Sequence, residues 1–251
     1  MKRKLANVVN QWLVPFGVEI IKKNNSVNLM PTWENRLSHA QSIGFAPKQI
    51  IDAGAFKGFW TKSAFKIFPG SQIVTIEPNP HIEAELKKNL SNIMPHPIII
   101  QRGVGETPGE SQFNIWGDPK TAMSASLQSH VQGEAKIKVN IKVDTLDNIA
   151  KEYNIQPDLV KLDLQGSELK ALKGATSLLQ TVEMFMIEFG CLDAYLNRAT
   201  PRDIMDVFFD NDYCLYDIVD LHYRPYDGAL TGGDFIFVKN SSPLRAYKNW
   251  N

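Results

Sequence analysis

The chain has 251 residues, with 27 lysines and arginines against 27 aspartates and glutamates and 43% hydrophobic residues. A formal net charge of zero argues against a nucleic-acid or anionic-membrane partner, and the Lys2-Arg3-Lys4 cluster is too short to change that. The apolar content is enough for a full core, and Cys191 and Cys214, which lack metal-ligand spacing, point to a reducing, cytoplasmic setting rather than a disulfide or zinc scaffold.

Leu5, Val8, Val9, Trp12 and Leu13 recur at helical spacing, so an amphipathic helix is expected over 3–13, ended by Pro15. Residues 18–21 read as a short strand, and 32–43 as a helix with Thr32 as N-cap and Gly44 as its stop. No long apolar core supports a signal peptide or a membrane span. Residues 1–47 are therefore expected to form an N-terminal helical extension, whose role is to cap the domain or to build a homodimer contact.

A repeating core follows. Strands are expected at 49–52, 72–77, 98–101, 159–163 and 184–188, with helices at 58–68, 80–90, 146–153, 168–173 and 201–210. Asn79 is the expected cap of the 80–90 helix, and Thr200 with Pro201 opens the last one. Residues 110–116 and 136–143 are strand-like, the second alternating cleanly. The polar stretch 117–134 between them has the length of a binding loop and is expected to act as a lid on the acceptor side. Two further strands, 214–221 and 234–239, are joined by a loop alone, so at least one runs antiparallel. Strands alternating with helices give an α/β fold with a doubly wound, mostly parallel sheet. This domain spans 48–240 and a tail spans 241–251.

The chemistry gathers at strand ends. Asp52-Ala53-Gly54-Ala55-Phe56-Lys57-Gly58 forms a strand–turn–helix corner. Gly54 supplies backbone freedom and close ligand approach, and Gly58 lets the next helix pack against the strand. The next strand ends at Glu77, about 20 residues on, the distance at which a nucleoside site places its ribose-binding acid. The glycine pattern is not Gly-x-Gly-x-x-Gly, and an acid with Phe56 in the turn serves a pyrophosphate poorly. A cationic, phosphate-free nucleoside such as S-adenosylmethionine fits better than NAD. Asp163 and Glu188 close two more core strands, and ligands of open α/β sheets sit beyond such ends. They could also supply oxygen ligands to Mg²⁺ that lower a hydroxyl pKa, but two acids on neighbouring strands are weak evidence for it and no metal is assigned.

Asp52 to Gly58, the Glu77-Pro78-Asn79-Pro80 run, Asp144-Thr145-Leu146-Asp147, the segment LVKLDLQGSELKALKG at 159–174 and Glu188 together resemble the FkbM-type methyltransferase family over about residues 48–240. The resemblance implies a class I S-adenosylmethionine-dependent methyltransferase with a seven-stranded sheet in the order 3-2-1-4-5-7-6, acting on hydroxyls of sugars, polysaccharides or secondary metabolites. By motif position, Asp52, Gly54, Ala55, Phe56 and Gly58 surround the methionine end, Glu77 with Pro78 and Asn79 holds the ribose, and Gly103 with Val104 flanks adenine. Where the family usually carries an acid, this chain has Gln165. Asp163, Glu168 and Glu188 are the catalytic candidates, Asp163 also touching the cofactor, and His130 and His222 are candidates for the small-molecule or glycan acceptor. An N-methyltransferase for an amine or peptide and a silent adenosine-binding module are the competing readings.

Overall fold

The computed structural model describes residues 31–122, 125–129, 133–192 and 194–249. The expected helix at 3–13, the strand at 18–21 and His130 lie outside the described residues. The first described helix, α1 (Trp33–Ser42), starts where Thr32 Oγ1 accepts the Asn35 N–H at 3.3 Å.

The core alternates as expected: β1 (Gln49–Ala53), α2 (Phe59–Ile67), β2 (Gln72–Ile76), α3 (Glu83–Leu90) and β3 (Ile98–Ile100). Then come β4 (Gly103–Val104), β5 (Gly109–Ile115), β6 (Ile137–Asp144), α4 (Leu146–Glu152) and β7 (Leu159–Leu162). The chain continues with α5 (Glu168–Lys173), α6 (Leu178–Thr181), β8 (Met184–Gly190), α7 (Pro201–Asp210), β9 (Tyr213–Tyr223) and β10 (Leu230–Lys239). Among the described residues a seven-stranded sheet has the order β3-β2-β1-β7-β8-β10-β9. Counted as core strands this is 3-2-1-4-5-7-6, with β10 antiparallel to both of its neighbours.

Period-two alternation sorts the strand residues onto two buried faces. Ile51, Ala53, Val160, Leu162 and Ile187 pack under α4 to α7, while Ile50, Ile73, Leu159, Met186 and Ile236 pack under α1 and α2. The sheet is thus doubly wound, and each fully buried Ile or Phe contributes about 1.5–3 kcal/mol. On the second face the same parity that buries Ile50, Leu159, Met186 and Ile236 turns Asp52, Lys161, Asp163, Glu188 and Asp234 to one side at the strand ends.

Three details differ from expectation. Helix α3 starts at Glu83 with Ile82 at its N-cap, because Asn79 Oδ1 is used by the His81 N–H in a tight local turn. The strands at 110–116 and 136–143 do not join the main sheet: β5 and β6 pair antiparallel and β4 adds to β6, giving a separate small sheet. Gly58, with φ +78°, packs against helix α3 rather than the strand: an added Cβ would meet Leu86 and Leu90 side-chain carbons at 2.8–2.9 Å.

Candidate active site

Beyond the carboxyl ends of β1, β2 and β7 lies a partly open cleft walled by residues of both sheets. Gly54, Phe56, Glu77, Pro78, Asn79, Gly103, Val104 and Asp163 line it, so the structure brings together eight residues singled out from sequence. Asp52, Ala55, Gly58, Glu168 and Glu188 do not line it.

The turn after β1 is tied to β2. Gly54 and Ala55 donate their N–H groups to the Ile76 carbonyl at 2.9 and 3.1 Å. Gly54 sits at φ +83°, and a Cβ there would lie 1.8 Å from the Asp163 carbonyl oxygen. The approach of the chain after β7 therefore by itself requires the glycine, which also lines the cleft as the sequence suggested. Phe56 also holds a left-handed conformation, with φ 49°. That angle directs its N–H to Glu77 Oε2 at 2.7 Å, while the Asn79 N–H donates to Oε1 at 2.8 Å.

Glu77 is consequently fixed rather than free. A carboxylate offers about four lone-pair sites, and each oxygen has used one, so each retains acceptor capacity at the cleft. Burial pushes the Glu77 carboxyl up to about 7, against the pull of the Asn79 and Phe56 N–H groups and Lys161. The folded state thus keeps a proton that the unfolded chain releases near 4.5, and this contribution to stability is lost as pH rises through 7. Asp234, also pushed up to about 7 by burial and by Asp163, acts in the same direction. We expect the melting temperature of the ligand-free protein to fall between about pH 5 and pH 8. Glu77→Gln should flatten that fall, and an unchanged profile in the variant would contradict it.

The far wall was not legible from sequence. Phe113 from β5 and Ala122, Ala125 and Leu127 from the 117–134 stretch line the cleft beside Val104 and Arg102. The stretch is pinned at several points. Asn79 Nδ2 donates to the Pro119 carbonyl at 3.0 Å, Ser126 Oγ to the Gln165 carbonyl at 2.6 Å, and the Leu196 N–H to the Ser129 carbonyl at 2.8 Å. Its described part therefore lies along the Val104 wall as well as over the Asp163 end. The only hint in the sequence is a few apolar residues spaced within a polar run.

At the other end, Asp163 meets a charged cluster. Its Oδ2 lies 3.2 Å from Lys161 Nζ, and its Oδ1 accepts from Gln165 Nε2 at 2.8 Å. Gln165, at φ 51°, also reaches Glu188 Oε2 at 3.3 Å, and its own Oε1 accepts from the Tyr195 hydroxyl at 3.0 Å. Glu188 Oε1 pairs with Arg198 at 3.3 Å. Burial first, then Asp163 and Glu168, hold the Glu188 carboxyl well above the usual carboxylate range. Glu168 is turned inward: its carboxylate accepts from the Leu164 N–H at 2.8 Å and the Gly166 N–H at 3.0 Å, clamping the turn it follows. Asp52 is fully buried beneath the turn, where it accepts from Thr61 Oγ1 at 2.6 Å and lies 3.4 Å from Lys161. His222 is exposed on β9, opposite Gly232 and away from the cleft lining. Lys161, Tyr195, Arg198 and Ser167 escaped the sequence reading. Ser167 Oγ is buried at the cleft without a hydrogen-bond partner among the described residues. The described residues contain no group of three or more His, Cys, Asp or Glu placed to hold a metal ion, and no helix long and apolar enough to cross a membrane.

The Haloferax volcanii hexuronic acid methyltransferase AglP is 26% identical over 119 residues, 47% of either chain, so the match spans about half of that relative. The Sinorhizobium fredii 2-O-methyltransferase NoeI is 21% identical over 222 residues, covering 82% of this chain and 87% of that protein. The crystal structure of a methyltransferase FkbM from Methylobacillus flagellatus is 21% identical with a TM-score of 0.49, covering 75% of this chain and 43% of the other. The methyltransferase FkbM domain model matches residues 52–215, from the acid that ends β1 to the start of β9, and the chain is a member of the FkbM methyltransferase family.

Proposed function

We propose that the domain at 48–240 transfers a methyl group from S-adenosylmethionine to a hydroxyl of a sugar, within a glycan or a glycosylated metabolite. The observation that carries the donor assignment is Glu77: two backbone N–H groups, one on each oxygen, orient its carboxylate in the cleft lining, and each oxygen retains acceptor capacity. This matches a pair of vicinal ribose hydroxyls. The buried, unpaired Ser167 hydroxyl adds a polar contact for a ligand, and Val104, Phe113 and Leu127 give apolar walls suited to a purine. The oxygen-acceptor assignment is supported by relatives named for a hexuronic acid and for 2-O-methylation.

When bound, S-adenosylmethionine supplies an electrophilic methyl group on a sulfonium. The protein's task is alignment and proton removal. Asp163, partly open to solvent and fixed through both oxygens, takes the proton of the acceptor hydroxyl. Glu188, linked to it through Gln165, orients the acceptor or relays that proton, and Arg198 keeps Glu188 in place. Glu168 holds the turn in shape and does not touch the reactants. Where the family usually has an acid, the Gln165 amide donates to two carboxylates at once, so the site works with one charge fewer.

The test is transfer of labelled methyl from S-adenosylmethionine to a panel of uronic-acid and neutral glycans, with amines and short peptides alongside. Base-stable label on a glycan is the expected result. Label on amines alone would replace the reading with N-methylation.

A further inference from the structure

Lys161 is a charged group next to this crevice, in contact with Asp163, that the chemistry above leaves unused. It interrupts the apolar run of β7, a parallel strand flanked by β1 and β8, where apolar side chains are the rule. It is 5% exposed. Buried lysines are kept almost only when paired, because stripping water from an ammonium costs several kcal/mol.

Its pairings are specific. The ammonium lies 3.2 Å from Asp163 Oδ2, 3.4 Å from Asp52 Oδ1 and 3.4 Å from the Gly54 carbonyl oxygen, and 5.9 Å from the centre of the Trp60 ring. One group therefore touches the end of β7, the end of β1 and the turn between β1 and α2. Burial works against its charge, but Asp163, Asp52 and Asp234 outweigh that and hold the ammonium above its ordinary range. The other charged and titratable groups around Asp163 are Glu188 on β8, Asp234 on β10, Glu168 on α5, Tyr195 and Arg198. Arg198 is committed to Glu188. Lys161 is thus the cation in contact with Asp163 among the described residues.

From this juxtaposition we infer that Lys161 is a positioning residue of the transfer reaction: it pairs with Asp163 among its carboxylate neighbours and locks it to the Gly54 turn, so that the proton acceptor and the donor-binding turn share one rigid frame. The inference rests on the proposed methyl transfer for its kinetic half. The pairing half is testable without turnover.

Thermal unfolding of the ligand-free protein from about pH 5 to pH 8 reads that half. In Lys161→Met the surrounding carboxylates lose the cation that offsets their mutual repulsion, which favours protonated forms within the cluster. Stability should then fall more steeply with rising pH than in wild type, since a carboxyl raised in the folded state loses its contribution as pH climbs through its value. Adding Asp163→Asn should reduce that extra slope, the remainder coming from Asp52, Glu77 and Asp234, which also face Lys161. Should Lys161→Met fail to fold, Lys161→Met/Asp52→Asn withdraws the buried carboxylate left unpaired, and the same comparison is made in that background. In the kinetic half, the folded variant should lose about 10–100-fold in kcat, and the acid limb of its kcat/KM profile should move to higher pH. Acceptor KM and cofactor affinity should stay within about threefold. An extra slope absent, or unaffected by Asp163→Asn, together with an unmoved acid limb, would overturn the assignment and make Lys161 a core-filling residue. A wild-type protein with no methyl transfer, yet with the slope present in Lys161→Met and reduced by Asp163→Asn, would retire the transfer reading and leave the Lys161–Asp163 coupling standing.

Discussion

Gly54→Ala should unfold the protein at a temperature about 10 °C lower than wild type and abolish donor binding. Two penalties add. A non-glycine residue in the left-handed region costs roughly 1–2 kcal/mol. The new Cβ would lie 1.8 Å from the Asp163 carbonyl oxygen, a backbone atom that yields only if β1 and β7 part at their ends. Together these amount to about 3–5 kcal/mol, a large share of a net stability of about 5–15 kcal/mol. At this chain length each kcal/mol moves the midpoint by about 2–4 °C. Gly70→Ala is the internal control: its φ is +93°, but nothing lies within 4 Å of the added Cβ. It should show the backbone penalty alone. Equal losses in the two variants would show that the approach of β7 does not demand the glycine. The larger Gly54→Val should fare worse still.

Asp163→Asn should lower turnover by about 10²–10⁴-fold, the usual contribution of a positioned base. The amide preserves the shape but surrenders the charge that meets Lys161 at 3.2 Å. Donor affinity should change far less, because Glu77, Val104 and Ser167 stand elsewhere in the cleft. If Asp163 instead binds the donor's amino group, affinity falls along with turnover. If it holds a metal, a chelator abolishes wild-type activity. Full turnover in Asp163→Asn would remove it from the reaction and leave Glu188 as the group to test.

The first half of the site was legible because its signals are local. A strand, a glycine turn and an acid about 20 residues on are written consecutively, and Gly54, Phe56 and Glu77 do meet in one cleft. Lys161 was hidden for the opposite reason. One lysine in an apolar strand carries no periodic signature, and its meaning depends on Asp52, which only strand pairing brings alongside. The second sheet was half visible. The alternation of 136–143 marked a strand, but its partners β4 and β5 precede it across a long loop, and no local feature names them. Glu168 looked catalytic by position, but the left-handed turn at Gln165 and Gly166 presents its backbone N–H groups to that carboxylate and occupies it. Asn79 looked like a helix cap, but its side chain is divided between the His81 N–H and the Pro119 carbonyl.

Calorimetric titration of S-adenosylmethionine into the wild-type protein and into Glu77→Ala, with NAD as the competing ligand, tests the central claim most directly. Two hydrogen bonds to a charged acceptor are worth about 1.5–3 kcal/mol each at most. The account predicts micromolar binding of S-adenosylmethionine or its demethylated product to the wild type, at least about a tenfold loss in a folded Glu77→Ala protein, and no comparable binding of NAD. Equal affinity in the two proteins, or preference for NAD, would contradict it.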